Sequence, residues 1–352
     1  MKTGKPVRVL VVDDSAIVRK VLSSILDAEP DIEVAGTAPD PYIARDRILS
    51  LKPDVVTLDI EMPRMDGLTF LERIMRYRPL PVIVISSLAQ NSAKTAMEAL
   101  SRGAVDVLAK PGGPYSVGDL KDDLPRRVRA AAQARPAARG REAQEPEAAP
   151  GPPADRGPAA ELIAIGASTG GTQAIEQVVR DLPPGMPPIV VTQHIPPVFS
   201  AAFAERLNRV AALEVREARG GERLEAGQVL VAPGGRHLVV ERAAPGEWRT
   251  RLDDGPKVCY QKPSVDVLFH SVARAAGERA LGVLLTGMGS DGAEGLLAMR
   301  QAGAWTAAQD EASCVVFGMP REAIERGAAE RVLPLHQIAG ALISQARRLQ
   351  TA

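Results

Sequence analysis

Val7-Arg8-Val9-Leu10-Val11-Val12-Asp13-Asp14-Ser15 is a nearly continuous apolar run that stops on two carboxylates and a hydroxyl. A run of that kind, without polar alternation, is the pattern of a strand buried on both faces. From Ser15 to about Ala28 the apolar residues take helical spacing. Outward from this stretch the same unit recurs. Glu33–Thr37 predicts a strand and Pro41–Leu51 a helix; Val55–Leu58 and Leu68–Arg76 repeat the pair, as do Val82–Ile85 and Ser92–Arg102, and Val105–Leu108 supplies a fifth strand. Five such units predict an α/β domain with a parallel sheet covered by helices on both faces. Sheets of this class carry their sites at the carboxyl ends of the strands.

The chain of 352 residues is long enough for two such domains. Residues 125–160 are rich in proline and alanine and hold only Val128 as a larger apolar side chain. Such a segment buries too little surface to offset the entropy of ordering. It is expected to be a flexible linker, with the last helix of the first domain fraying into it near Arg126–Ala134. The expected domains are therefore 1–124 and 161–352. In the second, Leu162–Ile165, Ile189–Thr192, Leu281–Leu285 and Trp305–Ala308 predict buried parallel strands. Thr172–Asp181, Phe199–Val210 and Ala293–Gln301 predict helices between them. Gly227–Pro233 and His237–Glu241, parted by Gly234-Gly235, predict a β-hairpin inserted into a doubly wound, mostly parallel α/β sheet.

Composition narrows the function. Lys plus Arg and Asp plus Glu balance at 43 each, and aromatics make up 3 %. A nucleic-acid partner, which needs excess positive charge or stacking platforms, is not expected. The two cysteines, Cys259 and Cys314, form no disulfide framework or CxxC pair. They fit a reducing cytoplasm. No apolar run reaches the ~18 residues of a membrane span, so no membrane insertion is expected, and the N-terminal apolar stretch ends on Asp13-Asp14, unlike a signal peptide.

Polar residues gather where the first domain's strands end. Asp13 and Asp14 follow the first strand, Asp59 the third, Ser86 and Ser87 the fourth, and Lys110 the fifth. Carboxylates brought together repel unless a cation joins them, and Mg²⁺ suits an all-oxygen site shared with phosphate. A carboxylate there can attack a phosphoryl group and become an acyl phosphate. With Val11–Ser15, Leu58-Asp59-Ile60-Glu61-Met62-Pro63-Arg64-Met65-Asp66-Gly67 and Lys110-Pro111, residues ~5–124 resemble a two-component response-regulator receiver domain. The resemblance implies a flavodoxin-like (βα)₅ fold, Asp59 as phosphoacceptor, and Asp13 and Asp14 as metal-binding acids. It further implies that Glu61 offers its backbone carbonyl to the metal, that Ser86 is the switch hydroxyl and that Lys110 contacts phosphate. One position departs from the pattern: Val107 stands where receivers often carry an aromatic, three residues before the lysine.

Three segments of the second domain point to hydrolysis. Gly166-Ala167-Ser168-Thr169-Gly170-Gly171 follows a buried strand and precedes a helix, which brings a serine to the sheet edge beside a helix N-terminus. It matches neither the dinucleotide-binding nor the P-loop glycine pattern. His194, in Thr192-Gln193-His194-Ile195-Pro196-Pro197, closes the next strand on the same edge. Leu285-Thr286-Gly287-Met288-Gly289-Ser290-Asp291-Gly292 closes another; Asp291 there either orients an imidazole through Nδ1–H or caps the following helix. Of the other histidines, His237 is expected at the hairpin surface, His270 on the amphipathic run Val265–Val272, and His336 near a late helix start. No histidine spacing suggests zinc. A nucleophile, a base and an orienting acid ending three strands of one sheet follow the logic of a serine triad, which is defined by geometry, not chain order. Activation of water by His194 is the chemical rival.

These segments, with Val231-Ala232-Pro233-Gly234-Gly235-Arg236-His237 and Gln309–Pro320, resemble the catalytic domain of the chemotaxis protein-glutamate methylesterases, whose full-length members share the receiver–linker–esterase layout. The resemblance implies Ser168, His194 and Asp291 as the triad, with oxyanion support from Met288 and the Thr169 region. It implies hydrolysis of glutamyl γ-methyl esters, and deamidation of glutamines, on the cytoplasmic helices of chemoreceptors. Mg²⁺ then serves the receiver alone, no cofactor serves ester hydrolysis, a chemotaxis histidine kinase is the phosphodonor, and the protein is a cytoplasmic monomer. An unphosphorylated receiver over the catalytic face, released by phospho-Asp59, is the implied control. A non-enzymatic phospho-switch that binds a receptor or nucleotide is the rival of a different class.

Overall fold

The computed structural model describes residues 5–110, 117–134, 161–244 and 247–347. Two units divide the chain, residues 1–142 and 143–352, and each is described by itself.

The first unit alternates β1 (Val7–Val12), α1 (Ala16–Leu26), β2 (Ile32–Ala38), α2 (Pro41–Leu51), β3 (Val55–Asp59), α3 (Gly67–Tyr77), β4 (Val82–Ser86), α4 (Gln90–Ser101), β5 (Asp106–Ala109) and α5 (Val117–Gln133). The strands form one parallel sheet in the order β2-β1-β3-β4-β5. Val9–Val12, Val55–Leu58 and Val82–Ile85 are buried throughout, as strands covered on both faces require. Helix starts follow local chemistry. Ser15 caps α1 by accepting from the Val18 N–H, Asp40 caps α2 ahead of Pro41, and Asp66 caps α3.

Helix α5 differs from the expected boundary. It runs through Pro125 to Gln133, and Leu120, Leu124, Val128 and Ala131 are buried along one stripe. Arg127 ties it to the sheet through Asp106 at 2.5 Å. Residues 125–133, expected in the linker, are therefore ordinary packed helix: Val128 with Ala130 and Ala131 suffices to seat it. The rest of the expected linker, 135–160, lies outside the described residues.

The second unit contains β6 (Leu162–Ala167), α6 (Gly171–Arg180), β7 (Ile189–Gln193), α7 (Phe199–Val210), β8 (Glu214–Glu217), β9 (Gln228–Val231), β10 (His237–Ala244) and β11 (Glu247–Asp253). It continues with α8 (Val265–Ala276), β12 (Ala280–Leu284), α9 (Ala293–Gln301), β13 (Trp305–Gln309), α10 (Met319–Glu325), β14 (Arg331–Leu333) and α11 (Leu335–Arg347). Seven strands form a wholly parallel sheet, β14-β13-β12-β6-β7-β9-β8. Val265, Leu268, Phe269 and Val272 of α8 are fully buried against it in one apolar cluster with Leu162, Leu284 and Leu296. Among the described residues no helix is long and apolar enough to cross a membrane.

The inserted hairpin is present, with different strands from those expected. Gln228–Val231 joins the parallel sheet beside β7, while His237–Ala244 pairs antiparallel with Glu247–Asp253. Gly234-Gly235 is not a hairpin turn. A Cβ on Gly234 would sit 2.4 Å from the Pro196 backbone, so this glycine serves a close chain approach.

Candidate active site

In the first unit the predicted acidic cluster forms. Asp13 and Asp59 are buried at the ends of β1 and β3, and Asp14 is exposed beside them. Lys110 Nζ lies 2.7 Å from Asp59 Oδ2 and 3.2 Å from Asp13 Oδ2. Burial pushes the Asp59 carboxyl up to about 6 despite Lys110, and burial raises Asp13 as well. Burial works against the Lys110 ammonium, yet its bonds to Asp59 and Asp13 hold its pKa above the ordinary value. Glu61 is exposed; its backbone N–H donates to Asp59 Oδ1 at 3.0 Å, and its carboxylate accepts from Ser92 Oγ. Ser86 is buried, and its hydroxyl donates to the Ser92 carbonyl at 3.4 Å. Val107 is buried on β5.

These residues fit a divalent cation. Carboxylate oxygens of Asp13, Asp14 and Asp59 lie within 4.8 Å of one another. Asp13 Oδ2 is buried, with Lys110 Nζ beside it at 3.2 Å. Two carboxyls driven towards protonation by burial, with a third carboxylate beside them, match a hard cation with oxygen ligands.

In the second unit, β6 lies between β7 and β12 at the centre of the sheet. Ser168, His194 and Asp291 follow these three neighbouring strands. The His194 N–H donates to the Ala167 carbonyl at 3.1 Å and the Ser168 N–H to the Thr286 carbonyl at 2.9 Å. The ladders thus run one residue past the strands and set the three loops side by side. Gln193 Nε2 donates to the Ser168 carbonyl at 2.8 Å and fixes the serine turn. Gly170 takes φ 78°, and a Cβ there would lie 2.5 Å from Val315 Cβ. Gly287 packs as tightly: its Cβ would meet that of Ser168 at 2.7 Å.

All three side chains are buried. His194 Nε2 lies 2.7 Å from Asp291 Oδ2, and Nδ1 has no hydrogen-bond partner among the described residues. The expected Nδ1–H to Asp291 bond is therefore corrected: the ring presents Nε2 to the acid and leaves Nδ1 unbonded among the described residues. Asp291 does not cap α9, whose N-cap is Gly292 with no side-chain bond. It faces the start of α8 instead. There it accepts from Ser264 Oγ at 2.7 Å, from the Val265 N–H at 2.7 Å and from the Asp266 N–H at 3.1 Å. Burial opposes its ionisation, but the bonds from His194, Ser264 and Val265 outweigh this and hold the carboxyl below its ordinary value. The helix N-terminus adds a favourable dipole.

The Ser168 and Gly287 N–H groups are used within the loops, whereas the Met288 N–H has no acceptor among the described residues. Thr169 is buried, and its carbonyl accepts from Thr286 Oγ1 at 3.0 Å. Cys314 is buried, which pushes its thiol up to about 12 and leaves it inert at neutral pH. Sequence reasoning missed Ser264 and Asp266. Their signal was present: a serine directly before the amphipathic run Val265–Val272 is an N-cap pattern.

A family model for CheB methylesterase matches residues 163–342, and one for the response regulator receiver domain matches residues 9–118. The chain belongs to the CheB methylesterase family. It is 56 % identical over 333 residues to protein-glutamate methylesterase/protein-glutamine glutaminase 4 of Anaeromyxobacter dehalogenans, covering 95 % of this chain and 93 % of that protein. It is 49 % identical over 341 residues to the protein-glutamate methylesterase/protein-glutamine glutaminase of Salmonella typhimurium, covering 96 % and 97 %. The second unit superposes on the Thermotoga maritima CheB methylesterase catalytic domain with a TM-score of 0.51 at 38 % identity, covering 53 % of this chain and 98 % of that one. The chain is thus a CheB with a receiver domain ahead of its esterase domain.

Proposed function

We propose that this CheB demethylates glutamyl γ-methyl esters on chemoreceptor helices, and deamidates glutamines there, under control of phosphorylation at Asp59. The observation that carries the reading is the His194 Nε2–Asp291 Oδ2 contact of 2.7 Å with Nδ1 left unpartnered. A neutral imidazole that donates from Nε2 to a carboxylate holds its lone pair on Nδ1. Nδ1 is the base: it takes the Ser168 proton as Oγ adds to the γ-carbonyl. The oxyanion is held by the Met288 N–H, with Thr169 shaping the opposite loop. The protonated Nδ1 then passes its proton to the leaving oxygen or nitrogen as the C–O or C–N bond breaks, releasing methanol or ammonia, and water hydrolyses the acyl-enzyme with Nδ1 again as base. Asp291, kept ionised by its donors, stabilises the transient imidazolium.

In the receiver, Asp13, Asp14 and Asp59, with the Glu61 carbonyl, would hold Mg²⁺, which when bound neutralises charge on the incoming phosphoryl group. Asp59 is the nucleophile towards a phosphohistidine or a small phosphodonor, and Lys110 pairs with the added charge. Ser86 leaves the Ser92 carbonyl to bond a phosphoryl oxygen. Phosphorylation then raises esterase turnover; a tenfold rise needs only ~1.4 kcal/mol of differential stability between two states of the protein. We place the enzyme in the cytoplasm as a monomer, with a histidine kinase and chemoreceptors, not nucleic acid, as partners.

The test is methanol release from a methylated chemoreceptor fragment, with and without a small phosphodonor and Mg²⁺. Release that rises with phosphodonor and disappears in Ser168→Ala is expected. Release unchanged in Ser168→Ala would refute the serine mechanism, and release indifferent to phosphodonor would refute the control.

A further inference from the structure

His237 was expected at the surface of a hairpin; it is buried, only 2 % exposed, at the first position of β10. Both ring nitrogens are engaged. The backbone N–H of Ser264 donates to Nδ1 at 3.1 Å, and Nε2 lies 2.9 Å from the Pro256 carbonyl oxygen. A backbone N–H only donates and a carbonyl only accepts. Both contacts are satisfied together only by a neutral ring with its proton on Nε2.

What this ring holds is the residue that holds the acid. Ser264 is fully buried and is the N-cap of α8. Its hydroxyl donates to Asp291 Oδ1, and the next two backbone N–H groups reach the same carboxylate. A continuous set of bonds therefore runs from His237 through Ser264 and Asp291 to His194. The Ser264 N–H has no other acceptor among the described residues. If it loses Nδ1, the α8 N-terminus must turn to find one, and the carboxylate moves with it. Small displacements of this kind matter in a triad, because about 1 Å of misplacement costs on the order of 10²-fold in rate.

We infer that His237, as the neutral Nε2–H tautomer, is a positioning residue of the esterase: it fixes Ser264 and, through it, the aim of Asp291 at His194. This rests on the triad reading above.

The test uses the full-length protein and the methylated receptor fragment. In His237→Asn an amide oxygen stands where Nδ1 was and can accept from Ser264. In His237→Gln the amide reaches the Nε2 position, which keeps the Pro256 contact and abandons Ser264. Near-normal kcat is expected for Asn, and a fall of about 10–100-fold for Gln, with KM unchanged within about twofold in both and similar melting temperatures. Equal kcat in all three proteins, or equal losses in Asn and Gln, would overturn the inference. Ser168→Ala is measured alongside; full activity there would overturn the triad and this inference with it, whereas an inactive Ser168→Ala beside indifferent His237 variants overturns this inference alone. As a measurement that needs no variant, ¹⁵N chemical shifts of the wild-type imidazoles should show the ring assigned to His237, like that of His194, held as the Nε2–H tautomer at neutral pH. An Nδ1–H tautomer or an imidazolium there would refute it.

Discussion

Asp291 accepts four hydrogen bonds, two at each oxygen: His194 Nε2 and the Val265 N–H at Oδ2, Ser264 Oγ and the Asp266 N–H at Oδ1. Asparagine has the same shape but brings an NH₂ that must face donors in either orientation. Asp291→Asn should therefore lower kcat by about 10³–10⁴, the scale of a lost orienting acid. It should also reduce stability by about 1–3 kcal/mol for buried donors left without an acceptor. Activity within tenfold of wild type and an unchanged melting temperature would show that the carboxylate is not the hub described here. That the loops carrying Ser168, His194 and Asp291 gather at one sheet edge was legible because each follows a buried strand. Which ring nitrogen serves which partner was not legible, because it depends on where α8 begins, and that helix lies between the strands in sequence but beside the acid in space. His237 was misjudged for the same reason: a single polar residue at a strand start says nothing about a helix N-terminus folded over it.

Between elements, Asp266 joins the start of α8 to α9 by accepting from the Gly295 N–H at 2.7 Å. Burial, then the charge of Asp291, pushes its carboxyl up to about 7. An acid whose folded pKa lies above the ordinary 3.8 binds more protons in the folded state than in the unfolded state across that interval. Stability is thus lost as pH rises from about 4 to about 7, and the full cost stands above 7. Asp266→Asn keeps the Gly295 acceptor and removes the charge. Its stability should match wild type most closely near pH 4–5 and exceed it by on the order of 1–3 kcal/mol at pH 8. Paired urea titrations across this range would show it, and a pH-independent difference would count against the assignment. Elements were legible where burial on two faces made continuous apolar runs, as at Val82–Ile85. They were not where the decisive contact was backbone on backbone. Gly234-Gly235 reads as a turn and in fact admits the Pro196 chain; Pro125 reads as the start of the linker and in fact sits inside α5, whose buried stripe runs from Leu120 to Ala131.

At the scale of the whole chain, the two units carry separate chemistry, and their coupling can be tested by dividing them. Asp59→Asn should keep basal methanol release and lose stimulation by phosphodonor. Residues 161–352 alone should release methanol faster than the unphosphorylated full-length protein; a folded fragment that is no faster would exclude inhibition by the receiver. That two domains follow one another was legible from composition alone, since residues 135–160 offer no core-forming side chains. The order of the second sheet, which puts β6 between β7 and β12, was not, because pairing order depends on crossover paths that no local pattern encodes. That order has a consequence for how the enzyme is made. His194 and Asp291 stand 97 residues apart in the chain, and they meet only when β7, β6 and β12 have all taken their places. Helical signal can return early in refolding from local contacts, whereas such distant pairings close slowly. In a refolding experiment, recovered methanol release is therefore a clock for the last long-range step, and its lag behind the circular dichroism signal measures the time the chain takes to thread its sheet.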